Sequence, residues 1–132
     1  SGSDPWTTWV GEPHIENDRC YYNQVQIGEG DTAYTVSLGD WVALTPDRKG
    51  KSVEVGKVKW FADGVGEDDG FKMACIQWGW RKTQFKAGSQ RDSVHVREVL
   101  LTDTEDENVV ASFEGVLMVH VGHNAEEVAS AL

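Results

Sequence analysis

The stretch VEVGKVKWFADGVGEDDGFKMACIQWGW, residues 53–80, decides the fold class of this chain. Its first part, residues 53–61, intersperses valines with charged residues and a glycine, and its last part, residues 71–80, is rich in apolar side chains. Residues 63–70 between them are almost all glycine and acidic residues, which favour turns. Two strand-like runs joined by a short turn segment predict a long β-hairpin.

Strand-forming composition recurs on both sides of this hairpin. The further predicted strands are residues 21–27, 41–44, 94–101 and 116–121, and the last of these carries no charge, which is typical of a central strand. Asn124 followed by Glu126 and Glu127 predicts a short C-terminal helix or tail at residues 124–132. Many short strands with turns between them predict an all-β fold, a distorted barrel or sandwich.

Composition limits the classes of function. The 132 residues suit one compact domain, with bounds at residues 4–123, and residues 1–3 look like a remnant of expression cloning. Twelve basic residues against 22 acidic ones give a formal net charge of -10, which argues against direct binding of nucleic acid and favours a basic partner. Two acidic runs, residues 67–69 and 103–107, are expected in solvated loops. No window has the length of a membrane span.

No residue pattern in the chain indicates catalysis. The four histidines lack the spacing of metal ligands, and the glycines lack the lysine and helix of a phosphate-binding loop. Cys20 and Cys75 differ in setting and are expected to be free thiols. We therefore expect no catalytic residue, no metal and no cofactor, and a binding module rather than an enzyme.

Trp78 and Trp80 are predicted to share one face of a strand, because strand side chains alternate between faces. Such a pair is as consistent with a core face as with a ligand site. Aromatic faces beside carboxylates attract methylated ammonium groups, with roughly 0.5 to 2 kcal/mol for each well-placed cation–π contact. The tryptophan pair and the acidic composition together make a cationic side chain the candidate ligand.

Four segments, in this order and at this spacing, resemble a bromo-adjacent homology (BAH) domain. They are GDWVAL at residues 39–44, VGKVKWFAD at 55–63, IQWGWR at 76–81 and EVLLTD at 98–103. The opening WVGEP at residues 9–13 is similar to the first BAH domain of maintenance DNA (cytosine-5) methyltransferases. The BAH domain of the largest subunit of the origin recognition complex ranks second.

The resemblance implies a β-rich distorted barrel, a nuclear location and a non-catalytic role on chromatin. Methyltransferase chemistry lies elsewhere in such proteins, and this chain has no Pro-Cys dipeptide to supply a nucleophile. One role it implies is binding of a basic histone tail, from histone H3 or H4, with a methylated lysine as the recognised residue. The alternative is a docking scaffold that packs against other domains of a larger methyltransferase or against chromatin proteins.

The resemblance also places a methyl-lysine cage in this sequence. Its positions fall at Glu54, Trp78, Gln84 and Thr102, with Asp103 alongside. Trp78 keeps the central aromatic ring, whereas Glu54 and Thr102 stand where other readers often have aromatic residues. Glu54 would then favour a less methylated lysine, which keeps N–H donors. Trp80, Phe61 or Trp60 would supply a second wall if the hairpin were shifted by one residue.

Overall fold

The computed structural model describes residues 6–45, 54–81 and 99–117 of the chain. These segments form ten β-strands and three short 3₁₀ turns, and they contain no helix of seven or more residues. The predicted all-β fold is therefore confirmed. The predicted C-terminal helix at residues 124–132 lies outside the described residues.

The strands form two antiparallel sheets. In chain order they are β1 (Thr7–Val10), β2 (His14–Glu16), β3 (Arg19–Tyr22), β4 (Gln24–Ile27), β5 (Tyr34–Ser37), β6 (Trp41–Leu44), β7 (Glu54–Asp63), β8 (Lys72–Arg81), β9 (Val99–Val109) and β10 (Phe113–Leu117). The smaller sheet has the order β1-β4-β5, and the other seven strands form the larger one. In the larger sheet β8 lies along one edge of β7, so β6 and β3 must share the other edge.

The hairpin predicted from residues 53–80 is confirmed as β7 and β8, which pair from Val55 opposite Gly79 to Asp63 opposite Lys72. A bulge inserts Lys59 between two paired residues of β7. An inserted residue reverses the side-chain alternation beyond it, so residues on either side of the bulge can face the core. This bulge determines which aromatic side chains of β7 are buried.

The predicted strand at residues 21–27 is two strands, because the chain passes from one sheet to the other at Asn23. Tyr22 pairs with Phe61 in the larger sheet, whereas Gln24 pairs with Ser37 in the smaller one. The Asn23 carbonyl accepts a hydrogen bond of 3.1 Å from the Leu38 N–H, which holds the crossing point. Composition alone does not distinguish one long strand from two shorter ones.

One of the two acidic runs is a strand and not a loop. Residues 67–69 are exposed around the 3₁₀ turn Gly66–Asp68, as predicted. The run at residues 103–107 instead lies within β9, which pairs with β8. All five of its side chains are exposed, so the backbone pairs without removing any carboxylate from water.

The predicted strand at residues 116–121 is described only in its first two positions, which belong to β10. Within the described segments β10 pairs with β6 alone, so the central position predicted for it is not what these residues show. No helix in the described part of the chain has the length and apolarity needed to cross a membrane.

The core lies between the two sheets. Val25 and Val36 come from the smaller sheet, and Val42, Phe61 and Ile76 come from the larger one, and all five are fully buried. Burying one such side chain contributes about 1.5–3 kcal/mol to folding.

Trp9 of β1 also joins the sheets. Its ring stacks on Tyr22 with 4.5 Å between centroids, and its Nε1 donates to Asp63 Oδ1 at 2.7 Å.

Candidate functional site

Trp78 lies near the end of β8, directly opposite Gly56 of β7. Its side chain is half-buried and packs against the hydrophobic core. A Cβ at position 56 would overlap Ile76 Cγ2 and lie 3.0 Å from the Gln77 carbonyl oxygen. Gly56 is therefore required by close packing, as glycines inside strands often are.

On the edge of β8 away from β7, Trp78 lies opposite a bulge in β9. Gln77 pairs with Glu105 and Gly79 pairs with Leu101, so Trp78 alone faces three residues of β9. A bulge of this kind directs side chains away from the regular ladder. Thr102 and Asp103, two of the predicted site residues, lie in it.

Three hydrogen bonds fix the bulge. Thr102 Oγ1 donates to the Trp78 carbonyl oxygen at 2.9 Å and accepts from the Thr104 N–H at 3.2 Å. Gln77 Nε2 donates to the Thr102 carbonyl oxygen at 2.6 Å. Thr102 thus holds the backbone of the site, and its predicted place in the cage stays a prediction.

Asp106 orients the Trp78 ring. Trp78 Nε1 donates to Asp106 Oδ2 at 2.8 Å, and Asp106 is exposed on β9. The sequence prediction missed Asp106 because residues 103–107 were expected to form a loop. Assigning that run to a strand would have placed Asp106 on a definite face, since side chains alternate along a strand.

Of the remaining predicted site residues, Glu54 lies near Trp78, Asp103 is exposed to solvent and Gln84 lies outside the described residues. Glu54 is half-buried and lies two residues before Gly56, so it shares the face of Trp78 as a diagonal neighbour, about 7–8 Å away. Asp103 is exposed in the bulge. Gln84 and the side chain of Trp80 lie outside what the structure describes.

Neither of the other proposed walls is beside Trp78. Phe61 is fully buried in the core. Trp60 pairs with Cys75, three residues before Trp78 along β8, so alternation places Trp60 on the opposite face of the hairpin. The ring of Trp60 instead contacts the guanidinium of Arg19, at 4.9 Å from the ring centroid.

Cys20 and Cys75 are both free thiols, as predicted. Cys75 is buried and its thiol lies 3.5 Å from Glu105 Oε1. Burial, followed by the hydrogen bond to Glu105, raises the pKa of this thiol from 9.0 to about 12. A thiol held in the neutral form is a poor nucleophile.

The site therefore offers one indole ring oriented by the Asp106 carboxylate, with Glu54 on the same face and a hydrogen-bonded bulge beside it. Such a site suits a cation. Within residues 6–45, 54–81 and 99–117, no cluster of three or more His, Cys, Asp or Glu side chains has the arrangement of a metal site. No known family model matches the chain, and no curated protein is similar enough to count as a relative.

Proposed function

We propose that the chain is a non-catalytic, nuclear chromatin module of the BAH type, which binds a basic tail of histone H3 or H4 with a lysine on Trp78. One observation carries the proposal. A half-buried indole lies beside exposed carboxylates, and its N–H is already engaged by Asp106 at 2.8 Å.

The hydrogen bond to Asp106 favours a ligand that uses the ring face. With its N–H occupied, the indole can attract a cation only through its π-system, and it does so without first having to be ordered. Each such contact is worth about 0.5–2 kcal/mol. One ring supports weak binding.

The acidic residues supply the longer-range attraction. Asp103 and Asp106 are exposed on β9 beside Trp78, and Glu105 is exposed on the opposite face, in a chain with a formal net charge of -10. A surface with one sign of charge raises the association rate of an oppositely charged peptide, and the effect falls with ionic strength. Binding is therefore expected to weaken as salt is added.

Glu54 determines which methylation state of the lysine we expect the site to prefer. A carboxylate diagonal to Trp78 accepts hydrogen bonds from an ammonium that still carries N–H groups, which a trimethylated lysine lacks. A second aromatic ring in the place of Glu54 would have favoured the fully methylated form. We accordingly assign the site a lysine with zero, one or two methyl groups.

Calorimetric titration tests this function. Histone H3 and H4 tail peptides, unmodified and with each methylation state, are titrated into the wild type, Trp78→Ala and Trp6→Ala. We expect binding by the wild type and by Trp6→Ala, which removes the same type of side chain from an exposed position outside both hairpin faces. We expect Trp78→Ala to bind about tenfold more weakly, as loss of one cation–π contact requires.

Two results would contradict the proposal: indifference of the wild type to every peptide, or equal affinity for wild type and a folded Trp78→Ala. Circular dichroism of each variant establishes that it is folded. A preference for the trimethylated peptide would contradict the assignment of methylation state alone.

The docking scaffold is a second candidate, favoured by exposed apolar side chains. Ile15 is 70% exposed and Val65 is 53% exposed, on segments far from Trp78 in the chain. A partner that covers these side chains would remove apolar surface from water, which favours docking. Hydrogen exchange distinguishes this role: slower exchange around Ile15 and Val65 in a longer parent protein supports docking, and unchanged exchange excludes it.

A further inference from the structure

A second arrangement of aromatic rings and a carboxylate lies on the opposite face of the hairpin, and it holds a cation. The Arg19 guanidinium lies 4.9 Å from the Trp60 ring centroid and 5.8 Å from that of Tyr21. Its Nη2 donates to Glu107 Oε1 at 2.7 Å, and its Nε donates to the Asp63 carbonyl oxygen at 2.8 Å. Its side chain is 13% exposed.

The residues around Arg19 make a complete guanidinium site. Trp60 and Tyr21 meet edge to face at 5.6 Å, so the cation lies near two rings. Glu107 supplies a charge-assisted acceptor, and the Asp63 carbonyl accepts from a different nitrogen in the same plane. Hydrogen bonds donated from two separate nitrogens of one planar guanidinium are what distinguish arginine from lysine here.

Arg19 reaches this site from a hairpin with a small attachment to the rest of the sheet. It is the first residue of β3, directly after a two-residue turn in which Asn17 and Asp18 have φ of 50° and 62°. Two consecutive residues at positive φ form the tight type I′ turn of a β-hairpin. The hairpin is paired to β7 through Tyr21 and Tyr22 alone, and all of β2 is exposed.

We propose that the pocket formed by Tyr21, Trp60 and Glu107 is a second binding site, which takes an arginine side chain of a basic partner peptide, and that Arg19 closes it from within the chain. Arg19 shows that the pocket accepts a guanidinium. Glu107 is 43% exposed, so the site opens to solvent when the Arg19 side chain swings out of it while Tyr21 stays paired to β7. An arginine in trans must displace Arg19, so its apparent affinity is reduced by the fraction of time the site is closed.

The experiment compares Arg19→Ala with the wild type. The probe is acetyl-arginine amide, with acetyl-lysine amide as the comparison, and binding is followed by the NMR shift of the Trp60 indole N–H. We expect Arg19→Ala to bind the arginine probe about ten- to a hundredfold more tightly than the wild type, as for a site closed about 90 to 99% of the time. The lysine probe is expected to bind more weakly in both.

Matched variants separate the pocket from general electrostatics. Lys57→Ala removes the same charge from β7 and is expected to bind like the wild type. Trp60→Ala combined with Arg19→Ala removes a wall and should abolish binding, which in this variant is followed by the NMR shifts of the Tyr21 ring. Trp78→Ala combined with Arg19→Ala should leave binding unchanged. Because this last variant lacks Trp78, arginine binding by it would support the second site whether or not Trp78 binds a lysine. If Arg19→Ala does not fold, Arg19→Lys replaces it, since an ammonium fills the pocket less well and should give a smaller gain.

Three results would overturn the proposal. The first is an Arg19 variant that binds no more tightly than Lys57→Ala, and the second is equal affinity for the arginine and lysine probes. The third is a wild type that shows no Trp60 shift at about a hundred times the dissociation constant of Arg19→Ala, because such a site never opens.

Discussion

Trp60 and Trp78 lie on opposite faces of one hairpin, each beside a carboxylate of β9, and the two carboxylates do different things. At Trp60, Glu107 binds the guanidinium that lies over the ring. At Trp78, Asp106 binds the indole itself. One ring is therefore occupied by a cation of the chain, whereas the other is oriented and has no cation over it among the described residues. A carboxylate beside an aromatic ring can either hold a ligand or prepare the ring to receive one.

The largest effect that separates the two faces is expected from Gly56→Ala. The new Cβ would overlap Ile76 Cγ2 and approach the Gln77 carbonyl oxygen, directly beneath Trp78. Overpacking of this kind costs about 1–3 kcal/mol of unfolding free energy, because neither a β-branched side chain nor backbone can move far. Urea denaturation measures the loss, and the Trp78 indole N–H shift should change more than that of Trp60.

Gly115→Ala is the matched control, since it places the same methyl group in another strand of the same sheet. A Cβ at Gly115 would meet nothing within 4 Å. Its stability should stay within about 0.5 kcal/mol of the wild type. Equal losses in the two variants would mean that the close approach at Gly56 is not what limits that position.

The face that carries Trp78 could be predicted from sequence in part, and the face that carries Trp60 could not. The alternation along β8 identified Trp78 as one of two candidate rings, and the resemblance singled it out. Asp106 was missed because residues 103–107 are five consecutive polar residues, whose composition gives no signal of a strand. They belong to a strand because β9 pairs with β8. The bulge at Lys59 was missed as well, and it decides that Phe61 is buried while Trp60 faces Arg19.

The contact between Arg19 and Glu107 was beyond sequence reasoning for a different reason. The two residues are 88 positions apart, and two strands, β7 and β8, lie between the strands that carry them. Local periodicity carries information about faces, not about which distant strand lies alongside. Thr102 illustrates the same limit, because its role in fixing the bulge depends on the register of β8 and β9.

The next largest effect on stability is expected from the buried thiol of Cys75, which lies opposite Trp60 in the hairpin. Burial and the Glu105 hydrogen bond raise the pKa of Cys75 from 9.0 to about 12, so the folded chain keeps a proton that the unfolded chain releases. Between these pH values the native state binds more protons, and the free energy of unfolding therefore falls as the pH rises. By about pH 10 the loss from this group is expected to reach about 1 kcal/mol.

Urea denaturation near pH 8 and pH 10 measures that loss. The decline should be smaller in Cys75→Ala than in the wild type by about 1 kcal/mol, and Cys20→Ala should decline like the wild type. An equally steep decline in Cys75→Ala would show that the thiol is not held neutral by the fold.

The smallest effect compares the two carboxylates directly, through Glu107→Gln and Asp106→Asn. Glu107 pairs with a cation and Asp106 accepts from a neutral indole, so only the first interaction should depend strongly on salt. At low ionic strength Glu107→Gln should cost about 0.5–1 kcal/mol, because the pair is partly exposed, and most of that cost should vanish in about 1 M salt. Asp106→Asn keeps an acceptor oxygen and should cost less than about 0.5 kcal/mol at either salt concentration. Equal salt dependence of the two variants would mean that both carboxylates act as simple surface charges, and the distinction between an occupied ring and a prepared one would then fail.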